Sequence, residues 1–418
     1  MQEQIISTTI EPTSEKLNFF TKNNETLSIG IICLVFLSST EFFRIFFLSR
    51  QIIYLLQFGV IGVLLAINLF NIVYWKRESL PRKFRFGFIL ISIGVGLSVY
   101  FAYVYNYQNV IITLWAQRTV YFYLFYSTLH ILRIRPDLLI KLVFFFGVLY
   151  SVLYILQYVT FPTKIFDVRQ ELDRGTVRIF LKGASYKGFA FLFCLQEILF
   201  RNSRKHIYYA LFFLSVTFLT GSRSILLNDA LIIVLAVIFS KKVKSKYLLI
   251  FLLALVMIPI YFIFQDIFTQ LFEISLKQGQ NAENNVRARA IHYFLNNFSP
   301  NKLSYLTGNG EFHFSSPYGQ KVASLMFYNG YYMSDVGIVG AFIKYGAIFI
   351  LGGLFIIFKS LFTRVNTHYM FLRYYLINTI ISIVLASTFT TAYSIIAICL
   401  ICYILDAKDY YQSLISSS

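Results

Sequence analysis

The sequence predicts an all-α polytopic membrane protein that forms one transmembrane domain over residues 1–418. Of the 418 residues, 57% are hydrophobic and only 13% are charged, whereas soluble domains usually carry about a quarter charged residues. The mean hydropathy is +0.66. Apolar runs that approach or reach the length needed to cross a bilayer, about 17–25 residues, recur along the chain.

These runs predict about twelve transmembrane helices, within a range of eleven to thirteen. They cover approximately 28–48, 52–75, 86–104, 110–131, 138–160, 186–200, 207–220, 225–240, 247–265, 335–358, 374–390 and 392–407. The sixth, seventh and eighth runs are short, and the connection between the last two is tight. No internal repeat is evident along the chain.

The connections between these helices fall into two sets that differ in charge. One set carries eighteen lysines and arginines against two acids, and consists of segments 76–85, 133–141, 201–205, 241–246 and 359–373. The short connections of the other set carry only Arg50 and Arg223, and consist of 49–51, 105–109, 221–224 and 390–393. The positive-inside rule therefore places the first set and both termini in the cytoplasm. The expected location is the cytoplasmic membrane, crossed many times.

Two connections on the predicted outer face are long, approximately residues 161–186 and 266–334. The positive-inside rule counts short loops, so basic residues in these two do not contradict the orientation. Long loops in a compact domain are commonly functional. The sequence therefore predicts a functional site on the outer face.

The formal net charge of +18 would indicate a nucleic-acid partner in a soluble protein. Here most of the excess lies in the predicted cytoplasmic loops, so nucleic acid is not expected.

The four cysteines lie inside apolar runs, which excludes a disulfide framework. Cys399 and Cys402 have the spacing of a redox or metal pair, but no second pair accompanies them, and they are interpreted as apolar filling. No cleavable signal peptide is predicted, because the first 27 residues are polar.

The first long loop carries arginines of two kinds. Arg169 and Arg174 are interspersed with the acids of segment 167–173, which predicts an ion-paired surface. Arg178 follows this stretch without an adjacent acid, and is the better candidate for binding an anion. A guanidinium stays charged and pairs with phosphate oxygens through a planar fork.

The short hairpin "LTGSRSILL" presents Arg223 to the same face. Gly221 makes the turn, and Ser222 or Ser224 can cap the helix that follows. Arg223 would then lie where free N–H groups and the positive end of the helix dipole favour an anion. The alternative is that Arg223 only extends to the lipid interface.

The segment "NNVRARAIHYFLNN", residues 284–297, is the third basic feature of the outer face. Read as a helix, it places Arg289, His292 and Asn296 on one face, with Arg287 on the flank. Arginines that converge near the lipid headgroups suit a diphosphate at the membrane surface. His292 can serve as a base near neutral pH, or it can be an ordinary surface histidine.

Several charges fall inside the predicted spans, where they are costly unless they face the bundle interior or a water-filled cavity. Arg118 and Lys344 are candidates for the cationic lining of such a cavity. Asp229 must likewise face the bundle interior or a water-filled cavity. Glu41 and Arg44 lie three residues apart near a helix end, so they are expected to pair.

Five features follow one another between residue 160 and about residue 350. They are a long loop, an "SRS" hairpin, a second long loop with "R…R…H", then "LTGNGEF" and "SDVGIVGAFIKYGAIF". Their order resembles the O-antigen polymerase and ligase superfamily, which includes the Wzy-type polymerases of bacterial surface polysaccharide. The likeness covers about half of the chain, and the rest agrees only in hydropathy.

The resemblance implies a set of arginines that hold a lipid diphosphate. From the two long outer loops the set consists of Arg178, Arg287 and Arg289. Arg223 at the start of its helix and Arg118 inside the bundle are added to it from their own positions. For the general base, His292 is the first candidate and Asp335 the second. Asp335 opens the tenth predicted helix, where capping that helix is the structural alternative.

The resemblance also assigns two glycine motifs. Gly308 and Gly310 correspond to its Gly-x-Gly, and the next helix carries its second motif at Asp335, Gly337, Tyr345 and Gly346. Ligases of this superfamily show His-Asn shortly before that helix. Here the position reads Tyr328-Asn329, which favours a polymerase, and His313 and His292 are the candidates for the missing imidazole.

The activity implied is glycosyl transfer at the outer face of the cytoplasmic membrane, producing O-antigen, capsule or exopolysaccharide. The donor would be a glycan on undecaprenyl diphosphate, and the acceptor a lipid-linked repeat unit. The donor is already activated, so no nucleotide or other cofactor is expected, and no metal-ligand spacing appears on this face. The resemblance allows a chain-length regulator as a protein partner, beside the membrane lipid.

Three alternatives stay open at this point. A transporter or flippase of lipid-linked oligosaccharides would share the helices and the cationic cavity, but it more often shows an inverted repeat or broken helices. An O-antigen ligase would share the site and use another acceptor. A polyprenyl-phosphate-sugar glycosyltransferase would need an acidic pair in the first outer loop, which reads Ser49-Arg50-Gln51.

Overall fold

The computed structural model describes residues 14–45, 48–75, 82–173, 176–239, 285–384 and 386–417. These residues are predominantly helical, with one two-stranded sheet, so the predicted all-α class is confirmed. Among them, four helices are long and apolar enough to cross a membrane: Arg50–Val73, Arg85–Asn106, Pro136–Val159 and Gly337–Phe362. The predicted span 247–265 lies outside the described residues, and the full count of about twelve stays a prediction.

The described helices are numbered in chain order. They are α1 (Ser14–Ser39), α2 (Arg50–Phe70), α3 (Arg85–Asn106), α4 (Val110–Ala116), α5 (Leu124–Leu132), α6 (Pro136–Val159), α7 (Ala184–Arg201), α8 (Arg204–Leu219), α9 (Arg223–Phe239), α10 (Val286–Tyr293), α11 (Leu303–Thr307), α12 (Pro317–Asn329), α13 (Gly337–Phe362), α14 (Met370–Ser382) and α15 (Ala392–Ser417). Short 3₁₀ or π turns lie at Glu41–Arg44, Asn71–Trp75, Arg118–Tyr123, Phe294–Phe298 and Thr367–Tyr369. The strands β1 (Gln170–Asp173) and β2 (Thr176–Ile179) pair antiparallel.

Helices α3 and α13 form the most extensive contact between described helices. Glycines permit this approach: a Cβ on Gly94 would lie 2.8 Å from the backbone nitrogen of Phe349, and a Cβ on Gly352 would lie 2.7 Å from the carbonyl oxygen of Gly87. Small residues let two helix backbones come close together. In lipid, where the hydrophobic effect contributes little to helix association, this close approach gains van der Waals energy.

Helix α15 lies in the centre of the bundle. Its residues 395–405 are each no more than 1% exposed, so the helix is enclosed by protein on every side. A helix that is apolar all round is expected in such a position. Cys399 and Cys402 are fully buried in this stretch, which agrees with their interpretation as apolar filling.

Helices α2 and α3 present large apolar side chains outwards. Leu55 on α2 and Ile93 and Tyr100 on α3 are exposed, together with others on the same helices. Continuous exposed apolar surface on helices of this length is typical of contact with lipid.

Connections of the predicted outer set contact one another at one end of the bundle. Gln108 Nε2 donates to the carbonyl oxygen of Glu311 at 2.7 Å, which joins segment 105–109 to the second long loop. Ser387, which lies between α14 and α15 just before the predicted connection 390–393, donates from Oγ to the carbonyl oxygen of Ser334 in the same loop at 3.0 Å.

Connections of the predicted cytoplasmic set meet at the other end. The backbone nitrogen of Lys83 donates to Asp406 Oδ1 at 3.1 Å, and Arg201 Nη2 lies 3.1 Å from His368 Nδ1. The contacts therefore agree with the predicted grouping of the connections. Which end faces the cell exterior stays a prediction.

Two predicted spans are interrupted. Helix α1 ends at Ser39, and Glu41–Arg44 form a turn in which all four residues have a φ between +50° and +54°. The expected pair of Glu41 and Arg44 is present, with Nε 2.6 Å from Oε2, but it lies in this left-handed turn. The run 110–131 is split into α4, a 3₁₀ turn and α5, because the backbone leaves the helical conformation at Gln117. Hydropathy continues across this break and so does not reveal it.

Candidate functional site

A cavity of about 390 Å³ lies among α6, α7, α9, α14 and segment 386–394. Residues 178–181, 184 and 185 also line it, so it opens at the end of the bundle that carries the first long loop. Hydroxyl and amide side chains make up much of the wall, including Ser185, Ser222, Asn228, Asn378, Ser382 and Thr391. Three tyrosines, Tyr150, Tyr375 and Tyr393, complete it. A volume of several hundred Å³ is typical of small-molecule sites.

Two glycines and a polar bridge position the walls of the cavity. Gly183 precedes α7 with a φ of +116°, and a Cβ there would lie 3.1 Å from a ring carbon of Tyr150. Gly221, with a φ of +60°, turns the chain between α8 and α9. Positive φ values favour glycine. Asn228 Nδ2 donates to Ser382 Oγ at 3.0 Å, which ties α9 to α14 across the wall.

Two opposite charges line the cavity although they are almost completely buried. Lys187 on α7 is 4% exposed and Asp229 on α9 is 5% exposed. Thr217 on α8 lies between them: Lys187 Nζ donates to its hydroxyl, and the hydroxyl lies 3.1 Å from Asp229 Oδ2. Asp229 thus faces an interior cavity, as a charge within an apolar span requires.

Arg178 lines the cavity from β2. In the register of the hairpin it stands opposite Glu171, and its Nη1 lies 3.7 Å from Glu171 Oε1. Arg178 has no acid beside it in the sequence, and its acidic neighbour in the structure comes from the opposite strand. Arg169 pairs with the same carboxylate at 2.6 Å, as predicted for an ion-paired surface. Arg174 lies outside the described residues.

Arg223 is the first residue of α9, beside the cavity-lining Ser222. The carbonyl oxygen of Ser222 accepts from the backbone nitrogen of Leu226 at 3.1 Å, as an N-cap carbonyl does. The backbone of Arg223 therefore starts a helix at the cavity, as predicted. Its side chain lies outside the part of the chain that the structure describes.

Arg118 is placed apart from the cavity wall. Its Nε donates to Gln57 Oε1 at 2.8 Å, and its guanidinium carbon lies 3.8 Å from the centroid of the Tyr54 ring. A cation over an aromatic face is attracted by the ring electrons. Arg118 does not line the described cavity with Arg178.

A buried carboxylate joins two cations close to Arg118. Glu41 pairs with Arg44 and accepts from Lys182 Nζ. Burial alone would raise the pKa of Glu41, but the attraction of Lys182 and Arg44 outweighs it and lowers that pKa. Burial lowers the pKa of Lys182, and repulsion from Arg44 and Arg118 lowers it further. The attraction of Glu41 offsets part of this lowering.

The basic segment of the second long loop forms α10 and the π turn Phe294–Phe298. Ala290, Phe294 and Phe298 are buried in a separate apolar cluster, and this burial turns the opposite side of the helix to solvent. The exposed residues include Arg287, Arg289 and His292, none of which lines the described cavity.

The second candidate base, Asp335, is also exposed, and it accepts from Ser334 Oγ at 3.0 Å. The N-cap position of α13 is Val336, with no side-chain cap, so the alternative role of Asp335 as a helix cap is wrong. His313 Nδ1 lies 2.7 Å from Ser315 Oγ. Neither Asp335 nor His313 lines the described cavity.

The two glycine motifs meet at a bend in α13. Gly346 has non-helical angles, φ 77° and ψ 175°, so carbonyl groups of the preceding turn need other donors. The backbone nitrogen of Asn309 donates to the carbonyl of Ile343 at 3.0 Å, and that of Gly310 to the carbonyl of Lys344 at 2.8 Å.

Lys344 does not provide the predicted cationic lining of this cavity. Its Nζ lies 2.7 Å from Glu311 Oε1, and the hydroxyl of Tyr345 donates to Glu311 Oε2 at 3.0 Å. Both contacts hold the second long loop to α13. Of the motif residues assigned by resemblance, Gly308, Gly310, Tyr345 and Gly346 therefore lie together as a structural joint, whereas Gly337 packs against Ile383 and Val384.

Sequence reasoning missed two groups of interior polar residues. Lys187 interrupts the apolar run of α7 and was the available signal for the cavity. At the other end of the bundle, Asp406 Oδ2 accepts from the hydroxyl of Tyr126 at 2.7 Å and lies 3.2 Å from His130 Nε2. Both ionisable side chains of this pair are completely buried. Their separation in sequence, 276 residues, gives no local signal.

Within the described residues, no group of three or more His, Cys, Asp or Glu side chains is arranged to hold a metal ion. No protein-family model and no curated protein matches the chain.

Proposed function

We propose that this chain is a membrane glycosyltransferase that polymerises undecaprenyl-diphosphate-linked oligosaccharide repeat units. The observation that carries the proposal is the cavity, whose wall combines hydroxyl and amide groups, tyrosine rings and the basic side chains of Arg178 and Lys187. Hydroxyl and amide groups both donate and accept hydrogen bonds, which suits the hydroxyl groups of a sugar. Aromatic rings offer flat apolar faces on which sugar rings pack.

The proposed reaction joins two lipid-linked glycans. A hydroxyl oxygen of the acceptor sugar forms a bond to the anomeric carbon of the donor, and the bond from that carbon to the phosphate oxygen breaks. The departing lipid diphosphate takes the electron pair, and a base in the site takes the hydroxyl proton. No nucleotide is consumed, because the diphosphate is the leaving group.

Charge that develops on the leaving diphosphate would be met by basic groups near the cavity. Arg178 lines the cavity, and Arg223 begins α9 at its edge. Arg287 and Arg289 on α10 and Arg118 beside Gln57 lie outside the cavity wall. In this proposal they attract the anionic lipid from the surrounding membrane surface.

A defined reaction tests the proposal. The purified protein, given only its lipid-linked repeat unit in detergent, should produce a ladder of longer lipid-linked glycans without nucleotide. The ladder should persist in excess EDTA, because arginine rather than a divalent cation meets the charge of the diphosphate. Failure to form any new glycosidic bond would reject a polymerase, and a ladder that needs a divalent ion would reject the role of the arginines.

A transporter or flippase of lipid-linked oligosaccharides is the second candidate. The observation that favours it is the buried pair of Lys187 and Asp229 in the cavity wall, since paired charges inside a membrane often mark a substrate or proton path. A transporter would move the lipid across vesicles and make no glycosidic bond. An O-antigen ligase would make one only after a different acceptor was supplied.

A further inference from the structure

Asp229 is the one carboxylate among the described residues that line the cavity. The other charged side chains of the wall, Arg178 and Lys187, are basic, and none of the described lining residues is a histidine. A proton acceptor for chemistry inside this cavity must therefore come from Asp229, from water or from the substrate itself.

Hydrogen bonding fixes one oxygen of Asp229. Thr217 Oγ1 lies 3.1 Å from Asp229 Oδ2 and also 3.1 Å from the carbonyl of Phe213. A hydroxyl has one proton, and an ionised carboxylate is a stronger acceptor than a carbonyl. Lys187 Nζ donates to the oxygen of the same hydroxyl, which directs the proton of Thr217 towards Asp229.

The second oxygen, Asp229 Oδ1, accepts no hydrogen bond from the described residues. Because the residue lines the cavity, this oxygen can accept a proton from a bound molecule. A carboxylate held by one oxygen and open at the other has the geometry that a general base requires.

We propose that Asp229 is the general base of this site and that Lys187 is its positioning residue, acting through Thr217. This inference rests on the proposed glycosyl transfer. As the acceptor oxygen bonds to the anomeric carbon, its proton moves to Asp229 Oδ1, and the lipid diphosphate leaves with the electron pair of the broken bond. The proton then passes from Asp229 to the diphosphate or to water.

The proposal replaces the two bases expected from the sequence. His292 and Asp335 are exposed to solvent, and neither lines the described cavity. Asp229 reaches the cavity because α9 begins at the Gly221 turn, which places the residue on the second turn of the helix beside Thr217.

The test uses azide, an anion that attacks the anomeric carbon without giving up a proton. Asp229→Asn should reduce polymerisation by about 10²–10⁴-fold, the usual range for loss of a general base. The same variant should still convert the lipid-linked donor with sodium azide into a glycosyl azide at the wild-type rate. Lys187→Met should lower the rate of polymerisation while leaving the azide reaction unchanged.

The matched control is Glu197→Gln, which alters another buried carboxylate of the bundle that pairs with Arg201 at the far end of α7. It should polymerise normally.

Loss of a single buried charge can impair folding by leaving its partner unpaired. The double variant Lys187→Met/Asp229→Asn removes both charges and is assayed in place of Asp229→Asn if the single variant does not fold.

The outcomes distinguish between failure of Asp229 as the general base and failure of the proposed polymerase activity. Normal polymerisation by Asp229→Asn rejects Asp229 as the base and leaves the proposed polymerase intact. Loss of both the polymer and the glycosyl azide in a folded variant also rejects it, because Asp229 would then serve the shape of the cavity. Absence of any glycosidic bond with the wild-type protein rejects the polymerase itself.

Discussion

Gly346 and Gly308 touch through their backbones, and neither has room for a side chain. A Cβ on Gly346 would lie 2.6 Å from the backbone nitrogen of Gly308, and a Cβ on Gly308 would lie 2.6 Å from the carbonyl carbon of Tyr345. Both residues have a positive φ, +77° and +80°. The second long loop is therefore joined to a membrane helix at the point where that helix bends.

Replacing Gly346 by alanine should destabilise this joint. The positive φ alone costs about 1–3 kcal/mol for a residue with a side chain, and the clash with Gly308 adds to it. We expect a lower Tm for Gly346→Ala and faster hydrogen exchange in segment 303–316. Gly96→Ala is the control, because a Cβ there meets nothing within 4 Å. An unchanged Tm for Gly346→Ala would contradict the bend.

The predicted orientation can be tested with single cysteines in a cysteine-free background. Cysteines at Arg169 and Tyr328, both exposed, should react with a membrane-impermeant maleimide added to intact cells. Cysteines at Asp137 and Lys205, exposed at the other end, should react only after the membrane is opened, because the positive-inside rule places them in the cytoplasm. The reverse pattern would place the cavity on the cytoplasmic side.

The hairpin offers a matched pair of arginines. Arg178 and Arg169 both pair with Glu171, but only Arg178 lines the cavity. Arg178→Ala should reduce polymerisation at least about tenfold, and Arg178→Lys should restore it only in part, because lysine lacks the planar fork. Arg169→Ala should polymerise as the wild type does. Equal activity of the two alanine variants would show that Arg178 only holds the hairpin together.

Glu41 predicts a dependence of stability on pH. Its pKa is lowered in the folded protein, since Lys182 and Arg44 outweigh the effect of burial. The ionised Glu41 therefore contributes its full stabilisation of the folded state when the pH is above the ordinary pKa of 4.5. This stabilisation is lost as the pH falls through the lowered pKa of the folded protein.

Glu41→Gln should accordingly have a lower Tm than the wild type at pH 7, and the difference should shrink below pH 4.5. Glu25→Gln, which removes an exposed partner of Arg135, is the control and should change the Tm little. A constant difference between wild type and Glu41→Gln from pH 3 to pH 7 would contradict the ion pair.

Features encoded by neighbouring residues could be predicted from the sequence. Hydropathy located the four described helices that are long and apolar enough to cross a membrane, and the spacing of Glu41 and Arg44 indicated their pairing. The turn at Gly221 correctly placed the start of α9 at the site. Each of these depends on residues a few positions apart, for which the geometry of a helix or turn is nearly fixed.

Features that depend on strand register or on the packing of several helices could not be predicted. Glu171 and Arg178 become neighbours only in the register of the hairpin. Lys187, Thr217 and Asp229 come from three helices whose relative rotation is set by side-chain packing. The sequence predicted that the basic side chains of α10, Arg287, Arg289 and His292, converge on the site. They are exposed instead, because the opposite side of the helix buries Ala290 and Phe294.

Helix α15 has a consequence for how the chain is assembled. Residues 395–405 touch protein on every side, yet they are synthesised after all the helices that surround them. The earlier helices therefore cannot complete their packing until α15 is present. The tight packing of the bundle is then a late event, and a chain interrupted before residue 392 would insert its earlier helices without acquiring a closed interior.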